Sequence, residues 1–370
     1  MKPIYSPTHS LVNLSNTLLA HFQVETFHPP IPSLLKRLNG KKKIAVLLFD
    51  GMGQTIIQRH LFRWGWLRKR RWGTITSTFP STTAAATNAF LSGRYPIEIG
   101  WLGWAHYFPE HDAILELFTG KNYLSQQPFL SATEVQKDIT YATIFERIQQ
   151  RHPNLNVTQV WPDIKPGGAP TIEAWWSQLD QHLSQTKAGL TYGYWLEPDK
   201  SIHSLGVGHA SVRTLIRQLE LDLKVMSEKH PDTTFIVLAD HGLVDVTFLN
   251  IQAHPDLYSL MIRSFAFEPR AATFFIQPSK LQEFRILFHR YYGRHFVLLS
   301  KEAVLTHHIY GLGMPHRKIK DFLGDFVAIS RSKYAFSHGT PQDTMPLKMK
   351  AHHAGMTNKE LRIDVMVIDR

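Results

Sequence analysis

The 370-residue chain contains no cysteine. That excludes disulfides, thiolate-held zinc and a cysteine nucleophile, so any metal here has to be held by imidazole, carboxylate or hydroxyl groups. No stretch approaches the roughly 18 consecutive apolar residues of a membrane span. The opening residues, MKPIYSPTHSLVNLSNTLLAHF, are broken by polar side chains and lack the apolar core and small-residue cleavage site of a secretory signal. A soluble cytoplasmic protein is the expectation. Internal repeats and low-complexity tracts are also missing. Hydrophobic residues make up 43% and charged residues 19%, a balance that suits a buried core and argues against extensive disorder.

Charge is present in excess of one sign. The formal net charge is +11, which favours anionic partners in general: phosphate esters, nucleotides, nucleic acid or acidic lipid. Part of it sits in Lys41 to Lys43 and part in RHLFRWGWLRKRRWG, where Arg59, Arg63, Arg68, Lys69, Arg70 and Arg71 alternate with Phe62, Trp64, Trp66 and Trp72. Such a segment suits a membrane surface or single-stranded nucleic acid. The plainer reading, a helix or hairpin with a solvated basic face and inward aromatics, is preferred.

Strand-like and helix-like periods alternate through most of the chain. IAVLLF (Ile44 to Phe49) is six apolar residues stopped by AspGlyMetGly, the pattern of a strand buried on both faces. From Ser211 to His230, apolar residues recur at three- and four-residue steps, with Ser211 placed as N-cap. With TTFIVLAD after it, the segment Tyr192 to Asp240 reads as a βαβ unit of a parallel sheet. The expected fold is α/β, a doubly wound, mainly parallel sheet with helices on both faces. Residues 1–38 are an N-terminal extension packed on the core. Residues 39–244 and 321–370 form the core, with GDFVAIS (Gly324 to Ser330) and LRIDVMVI (Leu361 to Ile368) as its returning strands. Residues 245–320 form a smaller inserted α+β cap.

Metal-binding and nucleophilic side chains stand at the ends of these strands. Asp50 closes IAVLLF and is followed by Gly51 and Gly53, which permit a tight turn. In TFPSTTAAATNAFLSGRYP, Thr82 or Thr83 falls at a helix N-terminus, where free backbone N–H groups favour a bound phosphate. Asp199 and His203 follow YGYWL four residues apart, on one side of a helical turn. Asp240 and His241 leave FIVLA together, and AHHAGMT offers His353. Taken singly, each is an ordinary turn former, cap or one of 21 histidines. Together, carboxylates and imidazoles at strand carboxyl ends suit a ligand crevice in an open α/β sheet and a pair of divalent ions.

The ordered set FDGMG, FPSTTAAATNAFLSGRYP, LEPDKSIH, LADHG and HHAGMT, spanning residues 44 to 357, resembles the alkaline phosphatase superfamily and most closely its type I phosphodiesterase and nucleotide pyrophosphatase branch. The resemblance implies that Asp50, Asp240 and His241 hold one metal ion, with the nucleophile bridging toward it, and that Asp199, His203 and His353 hold the other. The ions implied are Zn2+, with Mn2+ as the alternative. The family's nucleophile-to-glycine spacing, laid on Gly93, selects Thr83, with Thr82 second. His352 and His338 compete with His353. One position departs from the pattern: the branch carries an asparagine three residues after the nucleophile, where this chain has Ala86, and Asn88 replaces it only if the helix starts elsewhere.

The function implied is hydrolysis of a small anionic phosphate ester, conceivably a nucleotide, by a two-metal phosphodiesterase-like enzyme through a covalent phosphothreonine. A phosphomonoesterase or a phosphonate hydrolase of the same superfamily is the alternative. A Cys-type sulfatase is excluded. A catalytically inactive basic protein that binds nucleic acid or membrane is the rival from a different class. The sequence carries no reading of oligomeric state.

Overall fold

The computed structural model describes residues 5–369. Residues 1–4 of the N-terminal extension and residue 370 of the core lie outside that range. The central sheet has six strands, in the order Arg71–Thr76, Arg362–Ile368, Thr234–Leu238, Lys43–Phe49, Gly189–Trp195 and Asn156–Val160. The last four run parallel to one another, and Arg362–Ile368 is antiparallel to both its neighbours. Every residue of Lys43–Phe49, Gly189–Trp195 and Thr234–Leu238 is buried. The reason is that helices cover both faces of a parallel sheet, so the strands cannot alternate polar with apolar side chains.

Register is what positions the functional ends. Phe49 lies opposite Trp195, and Leu48 lies opposite Leu238. The three central strands therefore stop at nearly the same level, and the residues that follow each of them emerge side by side. The strands Gly189–Trp195 and Thr234–Leu238 belong to one parallel sheet, with Lys43–Phe49 inserted between them. The connecting helix runs Ala210–Lys229 and starts before the expected cap: His209 is the N-cap, its Nδ1 accepting from the N–H of Ser211 at 3.2 Å. No helix of the described residues is long and apolar enough to cross a membrane.

A second six-stranded sheet, antiparallel throughout, is ordered Phe296–Ser300, Phe326–Ser330, Ala271–Ile276, Met261–Glu268, Ala105–Phe108 and Ala113–Glu116. It reaches beyond the segment 245–320. Phe326–Ser330, read from sequence as a strand of the core, pairs instead between Phe296–Ser300 and Ala271–Ile276. Its apolar run has no period that distinguishes one sheet from another, and the partner strands with open edges decide. At the far edge, the pair Ala105–Phe108 and Ala113–Glu116 brings a part of the chain that precedes the insertion by over a hundred residues.

The basic aromatic segment departs from the preferred reading. It forms the helix Gln54–His60, a loop, a short 3-10 turn Arg68–Arg70 and the edge strand Arg71–Thr76. Trp66 and Trp72 pack on the core, but Phe62 and Trp64 are 70% and 72% exposed, under the guanidinium groups of Arg217 and Arg63. Cation–π contact holds these two rings at the surface.

The two sheets are tied by a buried ion pair. Arg270 Nε donates to Glu360 Oε1 at 2.7 Å and Nη2 to Oε2 at 2.9 Å, both side chains being fully buried. Glu360 also accepts from the N–H groups of Gly355 and Thr357, which shapes the AHHAGMT loop. Glu360→Leu strands a buried guanidinium and is expected to cost roughly 3–5 kcal/mol. Urea denaturation should show the loss as a lower midpoint, and an unchanged midpoint would refute it.

Candidate active site

Asp50 follows Phe49 directly, and its N–H donates to Trp195 O at 2.9 Å, so the first residue past the strand is still held by the sheet. Gly51 has φ +70, and a Cβ there would meet Leu243 Cδ1 at 2.6 Å and Asp199 Cβ at 2.9 Å. Only glycine permits both the left-handed turn and that approach. Gly53 packs against the loop after the third strand, where a Cβ would meet Gly242 Cα at 2.7 Å. The glycines thus let the Asp50 and Asp240 turns touch.

Thr83 opens the helix Thr83–Ser92, with Thr82 as N-cap residue. Neither threonine merely caps. The Thr82 hydroxyl makes no capping bond and donates instead to Glu268 Oε1 at 2.7 Å. Thr83 Oγ1 lies 3.2 Å from Asp50 Oδ2 and 3.2 Å from His241 Nε2. The loop that delivers it is pinned to the sheet: Ser77 Oγ donates to Asp240 O at 2.5 Å, and the Ala354 N–H donates to Ser81 O at 2.8 Å. Asp199 opens the short helix Asp199–Leu205, so His203 sits one turn on, its Nε2 3.2 Å from Asp199 Oδ2. His203 Nδ1 is paired with Ala351 O at 2.8 Å, leaving Nε2 to face the carboxylate.

Five of the six sequence-derived donors fall into two close groups, and His203 lies outside both, against Asp199. Donor atoms of Asp50, Asp240 and His241 lie within 4.8 Å of one another, as do those of Asp199, His241 and His353. His353 Nε2 is 3.8 Å from Asp199 Oδ1, and its ring lies 5.0 Å from that of His203 and 4.0 Å from that of His241. The competing histidines are otherwise engaged. His352 Nδ1 accepts from the His353 N–H at 2.9 Å, and His338 is stacked on Phe265 with Nδ1 paired to Ser264 at 2.8 Å.

The electrostatics are those of a site short of positive charge. Burial, then the neighbouring Asp50 carboxylate, pushes the Asp240 carboxyl up to about 7. Burial alone would depress His241, but the Asp240 and Asp50 carboxylates raise it to about 10. His353 is driven well below its ordinary value by burial and by the imidazoles of His241, His352 and His203. Asp199 Oδ1 and His353 Nδ1 are buried with no hydrogen-bond partner among the described residues. Oxygen and nitrogen donors only, crowded carboxylates and orphaned ligand atoms fit a pair of divalent cations.

Several residues at the site escaped the sequence reading. Tyr194 donates its hydroxyl to Asp50 Oδ2, and Thr87 donates to Asp240 Oδ2 at 3.1 Å. Thr87 was accessible in principle, standing one turn after Thr83 on the same helix face. Glu268 was not, because no local motif marks it. Ala86 is fully buried, and Asn88 is turned away, its amide donating to Ala84 O at 2.8 Å and its carbonyl accepting from Tyr141. The helix begins at Thr83, so Asn88 does not take the place of the missing asparagine.

Comparison with known proteins bears on this arrangement. The family model described as Type I phosphodiesterase / nucleotide pyrophosphatase matches residues 44–356. A search of curated protein sequences returned no match. Among solved structures, murine ectonucleotide pyrophosphatase / phosphodiesterase 5, an inactive Thr-to-Ala variant in complex with AMP, superposes with TM-score 0.65 at 14% identity, covering 89% of this chain and 88% of that one. Phosphonoacetate hydrolase from Sinorhizobium meliloti, in complex with phosphonoacetate, superposes with TM-score 0.62 at 14% identity, covering 88% and 90%. At such identities the structural likeness establishes the fold.

The contact between the two glycine turns gives a direct expectation. Gly53→Ala forces backbone apart between Asp50 and Asp240 and is expected to destabilise by about 1–3 kcal/mol, as overpacking does. It should also weaken zinc uptake, measured by equilibrium dialysis, and wild-type uptake in the folded variant would contradict the geometry.

Proposed function

The chain belongs to the type I phosphodiesterase / nucleotide pyrophosphatase family, whose members are phosphoric ester hydrolases, and on that premise we propose that it hydrolyses a small anionic phosphate ester by way of Thr83 and two divalent metal ions. The observation that carries the reading is the convergence of oxygen and nitrogen donors of Asp50, Asp199, Asp240, His241 and His353 beside one threonine hydroxyl, with His203 Nε2 3.2 Å from Asp199 Oδ2. Asp50, Asp240 and His241 would hold one ion, and Asp199, His203 and His353 the other. Zinc or manganese bound there supplies the positive charge that lowers the pKa of a hydroxyl and neutralises the group being transferred.

The chain's own groups account for the remaining steps. The helix Thr83–Ser92 presents its first-turn N–H groups and positive dipole end to the phosphate. The nearest acceptor for the Thr83 proton is Asp50 Oδ2. In-line attack by Oγ1 forms a new P–O bond as the bond to the leaving oxygen breaks, giving a phosphothreonine or its ester. Attack of water on the same phosphorus restores the threonine. Tyr194, Thr87 and Ser77 fix the carboxylates and the loop in place before substrate arrives, so little reorganisation accompanies the reaction.

Diester cleavage is the first reading of substrate, supported by the family. A phosphomonoester or phosphonate is the second, favoured by Ala86 in place of the asparagine. The two relatives solved with AMP and with phosphonoacetate support a small phosphate-bearing or phosphonate-bearing substrate.

On a panel of p-nitrophenyl phosphate, bis-p-nitrophenyl phosphate and a phenylphosphonate ester, at least one member should be turned over. Thr83→Ala should lower kcat/KM by on the order of 10³-fold or more, while Thr82→Ala lowers it less. Equal losses would reassign the nucleophile. A chelator should abolish turnover, with zinc or manganese restoring it. The inactive binding-protein reading predicts the opposite pattern: no turnover, and affinity for anionic polymers that falls steeply with salt and survives chelation.

A further inference from the structure

The basic aromatic segment is the part of the sequence that the candidate active site does not use. Between Arg59 and Trp72 the chain has six arginines and lysines and no acid. An edge strand needs charge to keep other strands away, which accounts for Arg70 and Arg71 where Arg71–Thr76 begins. It does not account for Phe62 and Trp64, which stand before that strand and are 70% and 72% exposed. The loop that carries them is fixed. Arg68 Nη1 donates to Leu61 O at 3.3 Å and closes it, and the Leu67 N–H donates to Glu220 Oε1 at 2.8 Å, which ties it to the helix Ala210–Lys229.

That helix adds to the same surface. The Arg217 guanidinium lies 4.8 Å from the centre of the Phe62 ring, and Leu221 and Val225 follow Arg217 at four-residue steps, on one face of the helix. Both are exposed, at 55% and 65%. Arg63, Arg68 and Arg71 line a recess of about 330 Å³ together with Trp64. Arg59, Arg63, Arg68, Lys69 and Arg217 have no carboxylate partner among the described residues. The acids nearby are engaged within the protein: Asp364 is buried and paired with Arg71 at 3.6 Å, Asp222 accepts from Gln218 at 2.8 Å, and Glu228 faces Lys224 at 4.0 Å. Exposed apolar side chains and cations without countercharge thus share one face.

We propose that this face docks the protein on the surface of a bilayer rich in anionic phospholipid. Phe62, Trp64, Leu221 and Val225 enter the boundary between headgroups and acyl chains, where aromatic and aliphatic side chains both gain, and the arginines stay level with the lipid phosphates. The recess of Arg63, Arg68 and Arg71 takes one headgroup phosphate. The net charge of +11 draws the chain to such a surface. Single-stranded nucleic acid is the weaker match. It would use the rings for base stacking and the arginines for phosphates, but Leu221 and Val225 gain nothing from a base or a phosphodiester chain. None of these residues is a metal-ligand candidate, so docking stands independently of the reaction proposed for Thr83.

The test is flotation of the full-length protein with phosphatidylcholine vesicles that contain or lack phosphatidylglycerol. The expected result is binding to the anionic vesicles about tenfold tighter or more than to phosphatidylcholine alone, weakening as salt is raised. Phe62→Ser combined with Trp64→Ser leaves the charge unchanged and should lower the affinity for anionic vesicles by about tenfold or more, with the urea midpoint close to that of the wild type because both rings are exposed. Should that variant misfold, Leu221→Ser combined with Val225→Ser tests the same apolar contribution from the helix. No binding of the wild type to anionic vesicles overturns the proposal. An affinity that neither pair of substitutions changes overturns it too, since charge alone would then account for the binding. Capture of oligothymidylate by a protein that ignores the vesicles would assign the face to single-stranded nucleic acid instead. Dimerisation without lipid, abolished by the Phe62 and Trp64 substitutions, in a protein that ignores the vesicles would assign it to a second copy of the chain.

Discussion

The interaction on which the site depends is the crowding of buried carboxylates at strand ends that stop at the same level. Asp50 and Asp240 are 3% and 0% exposed, and their donor atoms lie within a few ångströms of one another and of His241. Two like charges in a dry crevice raise each other's energy unless a proton or a cation sits between them. Burial and the facing carboxylates raise Asp240 and His241 above their ordinary values, the direction expected where positive charge is missing. The fold stores that cost in rigid elements, held by three fully buried strands and the ion pair of Arg270 with Glu360. On the proposed reading, divalent cations would relieve that repulsion at ligands already oriented.

The two sheets divide the work. The parallel strands stop level and bring Asp50, Asp199 and Asp240 to one crevice, and the loop after Ala351–His352 adds His353 from outside that sheet. The antiparallel sheet supplies the facing wall, and its edge carries Glu116 and Glu268. Thr82 is the hinge between the two. Its hydroxyl reaches Glu268 while its neighbour Thr83 faces Asp50. Consecutive residues at the start of one helix thus touch both sheets.

How far the sequence could be read follows from the range of each signal. The strand Lys43–Phe49 and the helix Ala210–Lys229 were legible, because each combines a periodic apolar run with polar residues at its end. Serine is the commoner cap and local pattern points to Ser211, whereas His209 performs the capping with a ring nitrogen. Phe326–Ser330 was legible as a strand but not as a member of the second sheet. Phe62 and Trp64 were expected inward, and the arginines that hold them outward come in part from Arg217, on another helix.

By itself the sequence determined which chemical groups exist and where strands end: no thiol, a surplus of positive charge, aspartates and histidines after apolar runs, and a threonine at a helix start. These are local properties, fixed by composition and by periods of two or 3.6 residues. Only the tertiary structure decided that the strands stop level, that Asn88 turns away from Thr83, that His338 stacks on Phe265 outside the two donor groups, and that Glu116 and Glu268 share one edge. The physical reason is that strand pairing and burial are long-range. Which edges meet is settled by the packing of the whole core, and no window of the chain contains both partners.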